Sequence, residues 1–208
     1  MSVPSSTAAE RRRSRARRAL GLAMLVPLLL LALALRAAPA RGESDQDRRD
    51  QAGIRLFRSL LAADLDLDSK RDEDGKLLLV IFHAGDQTHA QELARALAGS
   101  AAEPEPLRGV PVKIELTNDP TFGVYGKHPP AGIFIGQSPS ASGLQSIVHY
   151  GIDHHRIVYS PYEGHVEHGV LAGMSVEAQV RPYVNTETLA ASHVELKSFF
   201  MKVTKVYP

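Results

Sequence analysis

Histidine and acidic side chains concentrate in one stretch of the chain, residues 153–168. Neutral imidazoles and carboxylates are the ligands that zinc, copper and nickel use in proteins. His165 and His168 stand three positions apart, a feasible spacing for two ligands on a turn or a helix. This spacing fixes no third ligand and does not match the His-Glu-x-x-His motif. Two interpretations stay open, a metal site at His165 and His168 or a polar loop without metal, and the polar loop is preferred.

The same stretch begins with Ser-Pro-Tyr-Glu-Gly, directly after a predicted strand. Ligands of open α/β sheets gather at the carboxyl ends of the strands. Pro161 and Gly164 are also the residues of an ordinary tight turn. The functional alternative is a surface loop that contacts a ligand or a partner protein. Its candidate contact residues are Tyr162, Glu163, His165 and Glu167.

Catalytic chemistry has little support in the sequence, and we predict a protein that is not an enzyme and needs no cofactor. Cysteine is absent, and Ser142 and Gly143 do not form a Gly-x-Ser-x-Gly elbow. His83 ends an apolar run, where a hydrogen-bonded structural histidine is a commoner finding than a catalytic base. The Asp-rich segment 64–76 lacks the glycine and glutamate spacing of a calcium loop.

The elements that would position these residues alternate between strand and helix. Apolar runs predict strands at 76–83, 110–116, 131–135 and 156–160. A first helix from Ala52 is predicted by apolar residues at three- and four-residue spacing, a second is capped by Asp86 and ended by Gly99, and a third runs from 136 to about 150. This order predicts a single α/β domain with a mixed, largely parallel sheet flanked by helices.

The last third of the chain departs from this alternation. Residues 170–176 and 179–184 predict a β-hairpin, and Asn185 is a good cap for a short helix. A closing amphipathic helix is predicted over 194–206. Its expected core residues are Leu196, Phe199, Phe200 and Val203.

The N-terminal residues 1–42 predict a signal peptide or a membrane anchor. Six arginines between positions 11 and 18 precede an apolar run from Ala19 to Leu35, and Ala38-Pro39-Ala40 is a cleavage candidate. Residues 43–50 are a predicted linker, and the domain is expected over 51–208. After residue 42 the chain has 16 basic and 22 acidic side chains, a balance of −6, which disfavours nucleic acid as a partner. The predicted signal peptide or anchor leads us to predict a periplasmic location.

The C-terminal residues resemble the YfiR-like periplasmic regulatory proteins. The resemblance rests on Gly173-Met174, on Val184-Asn185, and on the stretch 197–203, within residues 169–205. It implies a non-catalytic protein that binds and restrains the outer domain of a membrane signalling protein, of the diguanylate cyclase or sensor kinase type. A homodimer is an open possibility. This chain lacks the tryptophan and the cysteines that members of the family carry. The alternative function is a periplasmic small-ligand or metal-binding protein associated with transport.

Overall fold

The most apolar run of the domain, Leu-Leu-Leu-Val-Ile-Phe, forms an interior strand of the sheet that is buried along nearly its whole length. The computed structural model describes residues 45–99 and 103–208. The strands are β1 (Leu77–Phe82), β2 (Val112–Thr117), β3 (Gly132–Ile135), β4 (Ile157–Ser160), β5 (Ala172–Val176), β6 (Val180–Asn185) and β7 (Lys205–Tyr207). The helices are α1 (Asp45–Ala63), α2 (Gln87–Ala98), α3 (Ala141–Asp153), α4 (Thr186–Ala191) and α5 (Ser198–Val203), with 3-10 turns at Leu67–Lys70 and Gly123–Tyr125.

All seven strands form one sheet in the order β2-β1-β3-β4-β5-β6-β7. The five strands from β2 to β5 in that order are parallel, β5 and β6 form an antiparallel hairpin, and β7 pairs with β6 in parallel. The predicted α/β fold with a mixed, largely parallel sheet and a C-terminal hairpin is confirmed. Strand β2 is added on one side of β1, and β3 is added on the other side. The order in which strands are added to the sheet therefore reverses between β1 and β3.

Alternate side chains of β1 face two separate hydrophobic clusters. Leu79 and Ile81 join α1, α2 and Phe200 on one face of the sheet, whereas Val80 and Phe82 join α3 on the other. Gly132 allows α1 to approach closely, because a Cβ there would lie 2.6 Å from Leu61 Cδ2. The sheet is therefore covered by helices on both faces, as parallel sheets require.

Local capping signals set most helix ends where the sequence predicts them. Asp86 accepts a hydrogen bond from the backbone N–H of His89, and Gly99 ends α2 with a φ of 86°. Asn185 caps α4 by accepting from the backbone N–H of Thr188. Two boundaries differ from prediction. Helix α1 begins at Asp45, inside the predicted linker 43–50, and α3 begins only after its cap at Ser140 rather than at 136.

The closing helix is present but shorter than predicted. It covers Ser198–Val203, and the chain then turns into the edge strand β7. The prediction of four core residues is wrong for Phe199 and Val203, which are 63% and 60% exposed, whereas Phe200 is buried and Leu196 packs against the core. The helix is shorter than predicted because residues 205–207 pair with the edge of β6 and extend the sheet.

The predicted signal peptide or anchor, residues 1–42, lies outside the described residues. None of the helices in the described part of the chain combines the length and the apolar character needed to cross a membrane.

Candidate functional site

The loops that follow β1, β3 and β4 meet at the carboxyl edge of the sheet, where the strand order reverses. In open α/β sheets, ligands bind in the crevice at this position. Gln137, which follows β3, joins two of the loops: its side-chain oxygen accepts from the backbone N–H groups of Ala84 and Asp86 at 2.9 and 3.1 Å. Its Nε2 donates to the Asp86 carbonyl at 2.6 Å. These bonds join the loop after β1 to the loop after β3.

His165 lies between two serines on neighbouring strand ends. Its Nδ1 is 2.8 Å from Oγ of Ser160 and its Nε2 is 3.1 Å from Oγ of Ser138. The Ser160 hydroxyl is buried and also accepts from the backbone N–H of Tyr162 at 3.2 Å. The ring of His165 thus bridges the two serine hydroxyls, with one nitrogen facing each.

The imidazole of His165 joins the loop after β4 to the loop after β3. Its contacts with the two serines position these loops.

The two histidines of the predicted metal site do not share a coordination centre with a third ligand. Both ring nitrogens of His165 face serine hydroxyls, and Nδ1 of His168 is 2.6 Å from the Gly164 carbonyl oxygen. Within residues 45–99 and 103–208, no group of three or more His, Cys, Asp or Glu residues could hold a metal ion. The geometry of the described part therefore gives the metal interpretation no support.

His83 differs from the expected hydrogen-bonded strand-end histidine. It lies just beyond β1 and is only 9% exposed. Its Nδ1 is buried and has no hydrogen-bond partner among the described residues. The backbone N–H of His83 is satisfied, because it donates to the Thr117 carbonyl at 2.9 Å.

Tyr162 is half-buried and serves the structure of this edge. Its hydroxyl donates to the Gly136 carbonyl at 2.7 Å, and its ring lies 5.5 Å from that of His165. Burial raises the pKa of Tyr162, so the phenol stays protonated and keeps this donor at neutral pH. Tyr162, which was predicted to contact a ligand or partner, thus connects the loop after β4 to the residue that follows β3.

A cleft of about 630 Å³ adjoins this edge and brings three segments together. One wall is the first two turns of α1, the second is the loop after β4, and the floor is the β5–β6 hairpin. Of the four predicted contact residues, Tyr162, Glu163 and Glu167 line the cleft, whereas His165 does not. The loop was found from the sequence, but the contributions of α1 and of the hairpin were missed. The lining residues from these two segments include Arg48, Arg49, Ala52, Met174, Val176 and Val180.

The cleft combines apolar surface with charges of both signs. Val176 and Val180 on the hairpin are 65% and 48% exposed. Lys205 Nζ is 2.8 Å from Glu177 Oε1 and lies 5.0 Å from the centre of the Tyr183 ring. On α1, Arg49 is exposed and forms no ion pair with another described residue. Such a surface suits a ligand that is apolar in part and charged in part.

We expect the stability of the full-length chain to fall as the pH is lowered below about 6.5, with His165 as one cause. Burial lowers the pKa of His165 below its ordinary value of 6.5, and His168 lowers it further. The unfolded chain therefore binds a proton at this position before the folded chain does, and acid favours unfolding. Urea denaturation at pH 7.5 and at pH 5.5 measures the effect.

The variant His165→Gln should lose stability at pH 7.5 but show a smaller further loss at pH 5.5 than the wild type. His128→Gln, at an exposed imidazole, is the control for removing a histidine. A wild-type pH dependence that His165→Gln leaves unchanged would contradict the assignment.

No protein-family model matches the chain, and no curated protein matches it. Solved structures do share its fold. One is the crystal structure of the ABC domain in complex with L-Trp from Streptococcus pneumonia, with a TM-score of 0.50 and 10% identity, covering 76% of this chain and 60% of that one. Another is a conserved domain protein from Vibrio cholerae O1 biovar eltor, with a TM-score of 0.51 and 10% identity, covering 76% of this chain and 59% of that one. This chain thus spans about 60% of the length of each. At this identity the likeness shows the fold alone, an α/β domain with a mostly parallel sheet.

Proposed function

We propose that the domain is a non-catalytic binding protein, working in the periplasm, and that the cleft beside the carboxyl edge holds a small amphipathic ligand. The observation that carries the proposal is the cleft itself, about 630 Å³ in volume and lined by both apolar and charged side chains. Small-molecule sites commonly have volumes of about 300–1,000 Å³. The ABC domain of similar fold was solved in complex with L-Trp, a molecule of this general character.

The cleft residues indicate how such a ligand would be held. Its apolar part would lie on Met174, Val176 and Val180, which supply the apolar floor. An anionic group would face Arg49, whose guanidinium can donate two parallel hydrogen bonds to a carboxylate. A cationic or hydrogen-bond-donating group would face Glu163, which is exposed on the opposite wall.

Calorimetric titration of the full-length chain in mild detergent with L-amino acids, L-tryptophan first, tests this function. We expect saturable binding, and about tenfold or greater loss of affinity in Arg49→Gln, the usual effect of removing a charged hydrogen bond. Arg55→Gln, an exposed arginine on the same helix that does not line the cleft, should bind as the wild type does. Absence of saturable binding across apolar amino acids, or equal losses in the two variants, would contradict the proposal.

A second candidate function is the regulatory one, in which the domain binds and restrains the outer domain of a membrane signalling protein. The observation that favours it is that the YfiR-like residues include the hairpin floor of the cleft and Lys205 at its end. A partner segment would then occupy the cleft in place of a small molecule. Capture of a diguanylate cyclase or sensor kinase from native membranes, lost in Glu163→Lys and retained in Arg55→Gln, would support this function.

A further inference from the structure

Arg156 is a partly buried arginine at the edge of the sheet opposite the cleft. It immediately precedes β4. Its Nε atom is buried and has no hydrogen-bond partner among the described residues. The acids that influence it electrostatically are Asp64 and Asp66, but the Asp64 carboxylate is already bound to Lys70 at 2.6 Å. The Nε group is thus removed from water, and no carboxylate of the described residues forms an ion pair with Arg156.

Burial also acts on the charge of this group. It lowers the pKa of Arg156, which means that the surroundings disfavour the charged form. Arginine stays protonated in proteins nonetheless. A ligand that supplies hydrogen-bond acceptors and negative charge would stabilise a charged group in this position.

Arg156 lines a cavity of about 350 Å³. Three segments that precede the parallel strands β1, β3 and β4 form most of this cavity, and one residue of β1 completes it. Because the amino ends of parallel strands meet at one edge, residues far apart in sequence come together there. The lining residues are Lys70, Arg71, Asp72, Glu73, Leu78, Lys127, His128, Pro129 and Arg156.

Two cations of the cavity are held by acids outside it. Lys70 pairs with Asp64, and Arg71 pairs with Asp68 at 2.6 Å. Lys127 is exposed and forms no ion pair with another described residue. Together with Arg156, it supplies positive charge that the described residues do not neutralise directly.

The two acids that line the cavity, Asp72 and Glu73, form no ion pair with Arg156 or Lys127. One oxygen of Asp72 accepts from the backbone N–H groups of Asp74 and Lys76 at 3.0 and 2.8 Å. Glu73 is 85% exposed at its side chain and lies 3.7 Å from His128. Both carboxylates are directed to other partners, which leaves Arg156 and Lys127 available.

We infer that this cavity is a binding site for a small oxyanion, a carboxylate or a phosphate, held by Arg156 and Lys127. The planar guanidinium matches the geometry of two oxygen atoms of either anion, and the ammonium group adds a mobile point charge. Leu78 and Pro129 supply apolar surface for a carbon skeleton attached to the anion. The site lies at the amino edge of the sheet and is separate from the cleft of the proposed function.

Titration of the full-length chain in mild detergent with sodium phosphate and with sodium acetate, in chloride at constant ionic strength, tests the inference. We expect saturable binding of at least one anion. Arg156→Gln should weaken it about tenfold or more, and Lys127→Gln should weaken it measurably. Arg95→Gln, an exposed arginine on α2, removes the same charge away from the cavity and should leave the affinity unchanged.

The two anions separate the ligand classes, since preference for phosphate or for acetate identifies the group that the site recognises. Lys127→Gln alters an exposed side chain, so the test stands even where Arg156→Gln does not fold. Absence of saturable binding of both anions would overturn the inference. Wild-type affinity in Lys127→Gln, or in a folded Arg156→Gln, would overturn it as well.

Discussion

Replacing Phe57 with alanine is expected to lower the free energy of unfolding by about 3–5 kcal/mol, the usual range for a buried phenylalanine. The ring is fully buried at the centre of the core between α1 and the sheet. It lies edge-on to Phe134, with ring centroids 5.5 Å apart, and 5.8 Å from the Tyr159 ring. The substitution removes these contacts and leaves a cavity that the rigid sheet cannot close. Urea denaturation followed by circular dichroism measures the loss.

Phe199→Ala is the matched control, because it makes the same chemical change at a ring that is 63% exposed. Substitutions at such surface positions usually change stability by no more than about 0.5 kcal/mol. Equal losses in the two variants, or a loss below about 1 kcal/mol for Phe57→Ala, would contradict this description of the core.

Replacing Lys70 with methionine is expected to cost a similar amount, about 3–5 kcal/mol. Lys70 Nζ lies 2.6 Å from Asp64 Oδ2, and the two side chains are only 3% and 0% exposed. The variant leaves the Asp64 carboxylate buried without its counter-ion. Such an uncompensated charge is more destabilising than the intact pair is stabilising, since both ions lose their hydration on burial.

The double variant Asp64→Asn with Lys70→Met separates this cause from simple loss of packing. The asparagine side chain keeps an acceptor for the backbone N–H of Asp66, which Asp64 Oδ1 accepts at 3.0 Å. With neither charge of the pair present, the double variant should be more stable than Lys70→Met alone. If the double variant is the less stable of the two, burial of an unpaired carboxylate is not the cause of the loss.

Features set by nearby residues could be predicted from the sequence. Asp86 and Asn185 cap helices through bonds to backbone N–H groups three residues ahead. The apolar run of β1 needs no partner to be recognised as a buried strand. The hairpin β5–β6 likewise follows from two short apolar runs close together. These signals are local, so a single sequence contains them.

Features set by distant residues could not be predicted. His165 was interpreted as a metal-ligand candidate, but its ring is held by Ser138, 27 positions earlier. Gln137 was interpreted as part of the start of α3, but its side chain joins the loops after β1 and β3, and Ser140 caps the helix. The α1 wall of the cleft comes from residues more than 100 positions before the loop. Tertiary contacts decide such features, and periodicity does not reveal them.

The end of α1 is closed by residues near the C-terminus. Lys197 donates from Nζ to the Ala62 carbonyl, 135 positions away, at 3.0 Å, and from its backbone N–H to the Ala63 carbonyl at 2.9 Å. Chains grow from the N-terminus at about 5–20 residues per second, so roughly 7–27 s pass between synthesis of α1 and of the residues that complete it. Contacts of such long sequence separation also slow folding itself. Helix α1 is thus completed only after residue 197 has been synthesised, and during that interval its apolar face needs protection from aggregation.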